Sequence, residues 1–249
     1  MLQRLGAFLR SSIGRKFVMS LTGAALIFFV LVHLLGNLTL YADGDGDAFN
    51  AYAHLLEKNP LLPLAEIGLT ALFVVHIGLG IRTALDNREA RPVRYKDLES
   101  HGNRTLASTT MIVTGLLVLV FLVVHLIDFR FAQRHADGLA YMVVQRLAGP
   151  LGAVVYLVGV VALGVHLWHA GQSIFQTLGL YHPRYRPLVV KAGWVVAVLV
   201  GLGFATFPVV IFTSPGSLAQ PPGQSAGIEP AAPVQAPALA PATHGGSAR

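Results

Sequence analysis

Four histidines stand among apolar neighbours: His33 in V-L-V-H-L-L-G-N, His76 in F-V-V-H-I-G-L-G, His125 in L-V-V-H-L-I-D-F and His166 in L-G-V-H-L-W-H-A. An ionisable side chain in such surroundings is costly to bury and marks function by default. Neutral imidazole is also the commonest metal ligand in proteins. Two imidazoles facing each other across a flat ring hold a b-type haem, and four imidazoles in two pairs hold two. Any single one of these histidines is equally well explained as a packed, hydrogen-bonded helix contact; the joint pattern carries the argument. The chain has no cysteine. That excludes disulfides, iron–sulfur ligation by this chain and covalent c-type haem. Histidines without cysteine or paired carboxylates also make a poor tetrahedral zinc site.

The elements that position these residues follow from composition. Of 249 residues, 54% are hydrophobic and 12% charged, against about 25% charged in soluble domains. Such a chain cannot cover itself with a solvated surface, and lipid is its solvent. Five stretches reach the roughly 20 apolar residues that cross a hydrocarbon core: 17–40, 61–81, 105–127, 150–173 and 192–213. The expected fold is an all-α integral membrane bundle of five transmembrane helices enclosing two haem b groups. Arg15 and Lys16 precede the first span, which runs uncharged from Phe17 to Asp43. It is too long for a signal-peptide core and is read as retained. The net charge of +6 comes from basic residues between apolar runs, which fits membrane topology and not a nucleic-acid face.

Loop charges give the orientation. Thirteen Lys/Arg fall on one side, among them Arg4, Arg15, Arg82, Arg94 and Lys191, and five on the other: Lys58, Arg130, Arg134, Arg146 and Arg249. The positive-inside rule puts the N-terminus in the cytoplasm, and five spans put the C-terminus outside. Each histidine lies late in its span, and consecutive spans run in opposite directions. His33 and His125 are therefore expected toward the outside, His76 and His166 toward the cytoplasm. The result is two pairs at two depths, each from two parallel helices.

Other residues take supporting roles. His169, three residues after His166, lies on nearly the same helical face; it is a rival ligand or a partner behind the ligand, and spacing leaves both open. Haem propionates need donors at the membrane edge. Ser20, His101 and Arg104 are candidates on the inner side and Arg146 on the outer, with headgroup contact an equal alternative for the arginines. Gly36, Gly78 and Gly80 leave helix faces near the ligands without bulk, as ordinary small-residue packing also does. Residues 1–16 form a cytoplasmic N-terminal segment and 17–213 the membrane domain. Residues 214–249 hold seven of the 14 prolines and read as a disordered tail. No internal repeat is read along the chain.

With these residues in hand, the sequence resembles the cytochrome b membrane anchor of succinate dehydrogenase/fumarate reductase, in its single-subunit, five-helix, di-haem class (the b558 type). The resemblance covers about residues 10–213. It is carried by S-L-T-G at Ser20–Gly23 with H-L-L-G-N at His33–Asn37, and by H-x-G-x-G at His76–Gly80. Further on come H-G-N-R-T-L at His101–Leu106, T-G at Thr114–Gly115, H-L at His125, and His166 with Q-T-L-G at Gln176–Gly179. It implies that His33 and His125 ligate a distal haem and His76 and His166 a proximal one; the distance from His166 to Gly179 favours His166 over His169. It also implies that Ser20 and His101 lie near the proximal propionates and Arg146 near the distal ones. The implied partners are a flavoprotein subunit, an iron–sulfur subunit, membrane lipid and a quinone, usually menaquinone. The implied setting is the bacterial cytoplasmic membrane, with the dicarboxylate chemistry in the flavoprotein. The sequence departs from some members at Gly164, where they carry a glutamate two residues before the fourth ligand. The outer quinone-site carboxylate has only a loose counterpart in Glu57.

Two other functions share features with this reading. The cytochrome b anchor of a hydrogenase or formate dehydrogenase would keep the histidines and take a different catalytic partner. A transporter using the histidines as a proton relay would need broken helices or polar substrate groups at mid-membrane, and few are visible.

Overall fold

The computed structural model describes residues 2–89, 106–180, 182–214 and 216–219. The expected sites at His101 and Arg104, and the C-terminal segment from residue 220, lie outside the described residues. Among the described residues eight α-helices follow in chain order: α1 Leu2–Arg10, α2 Ser12–Leu38, α3 Asp47–Glu57, α4 Leu62–Glu89, α5 Leu106–His125, α6 Gly138–Ala148, α7 Pro150–Thr177 and α8 Arg186–Thr213. Five stretches of the described residues are long and apolar enough to cross a membrane: Ser12–Tyr41, Leu62–Glu89, Thr110–Arg130, Pro150–Thr177 and Arg186–Thr213.

Local chemistry explains where the spans begin and end. The Ser11 hydroxyl accepts from the amide of Gly14 at 3.0 Å, capping α2 and starting it ahead of the expected residue 17. The turn from α1 is tight: a β-carbon on Gly14 would lie 1.9 Å from the Phe8 carbonyl oxygen. Arg15 is thereby carried into α2, where its guanidinium meets Asp86 of α4 at 2.7 Å. Pro187 in the first turn of α8 and Pro150 in that of α7 sit where a missing N–H costs nothing. The third span is lengthened by a π-helical turn over Leu126–Arg130.

Four spans, α2, α4, α5 and α7, pack as a bundle in which α2 touches α4 and α7, and α5 likewise touches both. The fifth, α8, lies mainly along α7 and also touches α2. Glycine makes that contact close. A β-carbon on Gly171 would sit 2.9 Å from the Gly193 Cα, and one on Gly164 3.6 Å from the Gly201 Cα. The approach is tight at Gly171, whereas a β-carbon at Gly164 would make only ordinary contact with α8.

Two of the three shorter helices, α3 and α6, close one end of the bundle. The connection between the first two spans contains α3, and that after the third span contains α6. Phe49 of α3 and Val143, Val144 and Leu147 of α6 are buried against Leu34, Phe207 and Ile211 of the spans. The Asn50 side chain accepts from the Ala140 amide at 2.9 Å. Gly46 has φ +86°, and a β-carbon there would meet the methyls of Ala140 and Ala219 at 2.7 and 2.9 Å. Leu218 and Ala219, at the start of the C-terminal segment, are buried in the same cluster, and the Ala219 amide donates to the Gly44 carbonyl at 3.0 Å.

Candidate functional site

The four histidines meet in the two pairs expected. His33 of α2 and His125 of α5 have ring centres 5.8 Å apart and planes crossed at 85°. His76 of α4 and His166 of α7 have ring centres 6.4 Å apart and planes crossed at 87°. Each pair therefore bridges diagonally opposite helices of the four-helix bundle. Thr22, which contacts His76, precedes His33 by 11 positions on the same helix, so the pairs lie about 16 Å apart along the bundle. A metal–imidazole bond of about 2 Å on either side of one ion, plus two ring radii, places axial imidazoles roughly 6 Å apart centre to centre. Both pairs match that spacing. Among the described residues no group of three or more His, Asp or Glu side chains is placed to hold one metal ion; the histidines come in twos.

The His76/His166 pair rests on a repeated support. Thr22 Oγ1 lies 3.3 Å from His76 Nδ1, and Thr114 Oγ1 lies 3.3 Å from His166 Nδ1. The Met19 carbonyl is 3.3 Å from His76 Nδ1. The next residue is glycine in both helices. A β-carbon on Gly23 would lie 3.1 Å from His76 Cε1, and one on Gly115 3.3 Å from His166 Cε1. The pattern M-x-x-T-G, followed by His after nine intervening residues, occurs at Met19–His33 and again at Met111–His125. The chain thus contains an internal repeat, contrary to the sequence reading. The repeat is short and its nine spacer residues mostly differ in identity while both spacers are uniformly apolar, so hydropathy hides it.

The His33/His125 pair is surrounded by aromatic rings. Phe29 stacks on His33 at 5.5 Å and 13°, and Phe204 lies 5.8 Å from it. Phe121, Phe129 and Tyr156 pack around His125 at 6.0, 5.4 and 6.2 Å. The π-helical turn begins directly after His125 and swings Asp128 inward. Its Oδ2 accepts from Arg146 Nε at 2.7 Å and from the Tyr156 hydroxyl at 2.9 Å. Arg146, expected near propionates, is thus held by a carboxylate of the chain itself. Asp128 and Tyr156 carried no visible signal in the sequence, because the π turn that aims Asp128 has none.

The remaining expectations resolve individually. His166, not His169, faces His76. His169 is 5% exposed; its Nε2 lies 3.0 Å from Thr110 Oγ1, and its buried Nδ1 has no partner among the described residues. Ser20 is buried on α2 at 4% exposure. Gly36 makes room for Tyr52 of α3, whose ring would lie 2.5 Å from a β-carbon there, whereas Gly78 and Gly80 have nothing within 4 Å. Glu57 pairs with Arg134. Glu66 receives two hydrogen bonds from Arg130, at 2.8 and 3.0 Å.

Comparison with curated proteins gives no significant match, and neither does comparison with solved structures. A family comparison does. Residues 17–96, which carry the first repeat unit together with His33 and His76, match the family of the succinate dehydrogenase/fumarate reductase transmembrane subunit.

Proposed function

We propose that this chain is the membrane-anchor, di-haem cytochrome b subunit of a succinate:quinone oxidoreductase. In that role it relays electrons between an iron–sulfur subunit and a membrane quinone of the menaquinone type. The observation that carries the reading is the pair of crossed imidazole couples at 5.8 and 6.4 Å, each at the spacing of two axial ligands. The family match over residues 17–96 supplies the class of complex, with a flavoprotein subunit as the site of dicarboxylate chemistry.

Haem, when bound, supplies reversible one-electron oxidation and reduction. The protein's part is to hold, orient and insulate. His76 and His166 would hold the haem at one level, and His33 and His125 the haem at the other. Thr22 and Thr114 fix two of the imidazoles from behind. Phe29, Phe121, Phe129 and Phe204 exclude water around the His33/His125 level, a lever on redox potential. The unpartnered Nδ1 of His169 and the buried Ser20 hydroxyl are donors that fit a propionate. By the charge asymmetry of the loops, the N-terminus would face the cytoplasm of a bacterial cell.

The test is purification of the tagged chain from native membranes, with identification of what accompanies it. The expected result is a flavoprotein and an iron–sulfur protein, with succinate reducing the chain's b-type absorbance. Co-purification of a hydrogenase or formate dehydrogenase, with haem unresponsive to succinate, would move the chain to another respiratory complex. A chain without haem absorbance would return the proton-relay transporter to the front.

A further inference from the structure

The two threonines of the repeat do more than fill space. Thr22 Oγ1 lies 3.0 Å from the carbonyls of Val18 and Met19 within its own helix. Thr114 Oγ1 is likewise 3.0 and 3.1 Å from the carbonyls of Thr110 and Met111. A hydroxyl has one proton, and in each case a backbone carbonyl takes it. The oxygen that then faces the imidazole 3.3 Å away can only accept. The Met19 carbonyl, 3.3 Å from His76 Nδ1, is an acceptor as well. Each of these neighbours therefore demands a proton on Nδ1, which leaves Nε2 with its lone pair free. Among the described residues nothing equivalent faces His33, whose ring nitrogens both lie 3.4 Å from the amide nitrogen of Asn37, a donor.

Given the haem reading above, on which this rests, we infer that Thr22 and Thr114 are positioning residues that lock His76 and His166 in the Nδ1–H tautomer and tune the potential of the haem they hold. A hydrogen bond accepted from the non-ligating nitrogen makes an imidazole a stronger donor. A stronger donor stabilises ferric over ferrous iron, so the threonine oxygens lower the midpoint of that haem. Because the two threonines occupy equivalent places in the repeat, both act on the same haem, although they stand 92 residues apart. Glycine at 23 and 115 is part of the device, since a side chain there would press on the imidazole carbon beside Nδ1.

The experiment is a redox titration of the purified, haem-loaded chain in wild type and in Thr22→Val, Thr114→Val, Thr22→Ser and Thr114→Ser variants, with the haem count measured in each. Valine keeps the shape and removes the oxygen; serine keeps the oxygen. Each valine variant is expected to move one midpoint upward and leave the other in place, with the same haem affected by both and serine restoring wild-type behaviour. Loss of that haem with valine and its retention with serine is the stronger form of the same result. Unchanged midpoints in the valine variants, shifts in different haems, or equal effects of valine and serine would overturn the inference. A wild-type chain that binds no haem contradicts the haem reading itself, and is distinguishable from all of these.

Discussion

His76 and His166 approach across the bundle with ring centres 6.4 Å apart and planes at 87°, and His33 and His125 repeat the geometry at the other level. When two axial imidazoles are crossed, each π system addresses a different iron d orbital, and those orbitals stay close in energy. With the two proposed haems bound, both centres are expected to give strongly anisotropic low-spin ferric signals with a large maximum g value. Electron paramagnetic resonance of the oxidised chain checks this. Ordinary rhombic signals of the kind given by parallel imidazoles would contradict the crossed arrangement.

Asp128 and Arg146 form a half-buried pair, with side-chain exposures of 16% and 33%, and Tyr156 adds a second donor to the same oxygen. Asp128→Ala strands both donors, at a cost of about 1–3 kcal/mol, toward the lower figure because Arg146 reaches solvent. Tyr156→Phe removes one neutral hydrogen bond and costs about 1 kcal/mol. Thermal denaturation in detergent measures both. Equal effects would mean that Asp128 is not the hub of this network.

The α7–α8 contact makes a further prediction. A β-carbon on Gly171 runs into backbone, the Gly193 Cα at 2.9 Å, so Gly171→Ala forces the helices apart and costs about 1–3 kcal/mol. A β-carbon on Gly68 of α4 would meet nothing within 4 Å, and Gly68→Ala gains up to about 1 kcal/mol of helix propensity. Opposite signs in thermal stability are expected for the two alanine variants. A neutral Gly171→Ala would remove close packing as the reason for glycine there.

The five spans were legible because lipid imposes length and hydropathy on any helix that crosses it, and the pairing followed from where each histidine falls in its span. What lay hidden depends on local geometry. The cap at Ser11 shifted one boundary, and α3 and α6 are amphipathic helices of 11 residues each, too short to stand out as spans. The π turn that aims Asp128 at Arg146 leaves no mark on composition. Thr22 and Thr114 were visible as motif residues, yet their role needed the neighbouring carbonyls, because only these decide which partner receives the hydroxyl proton. Helical spacing alone leaves His166 and His169 open, while the resemblance favours His166; in the fold Thr110 of α5 engages His169.

The central claim is that imidazoles from opposite helices hold two separate haems. It is tested most directly by a reduced-minus-oxidised spectrum with a pyridine haemochrome count on the wild-type chain and on His33→Ala and His76→Ala. The expected result is two b-type haems per wild-type chain and one in each variant, with a different spectral component missing in each. A wild-type chain with no haem, or two variants that lose the same component, would contradict it.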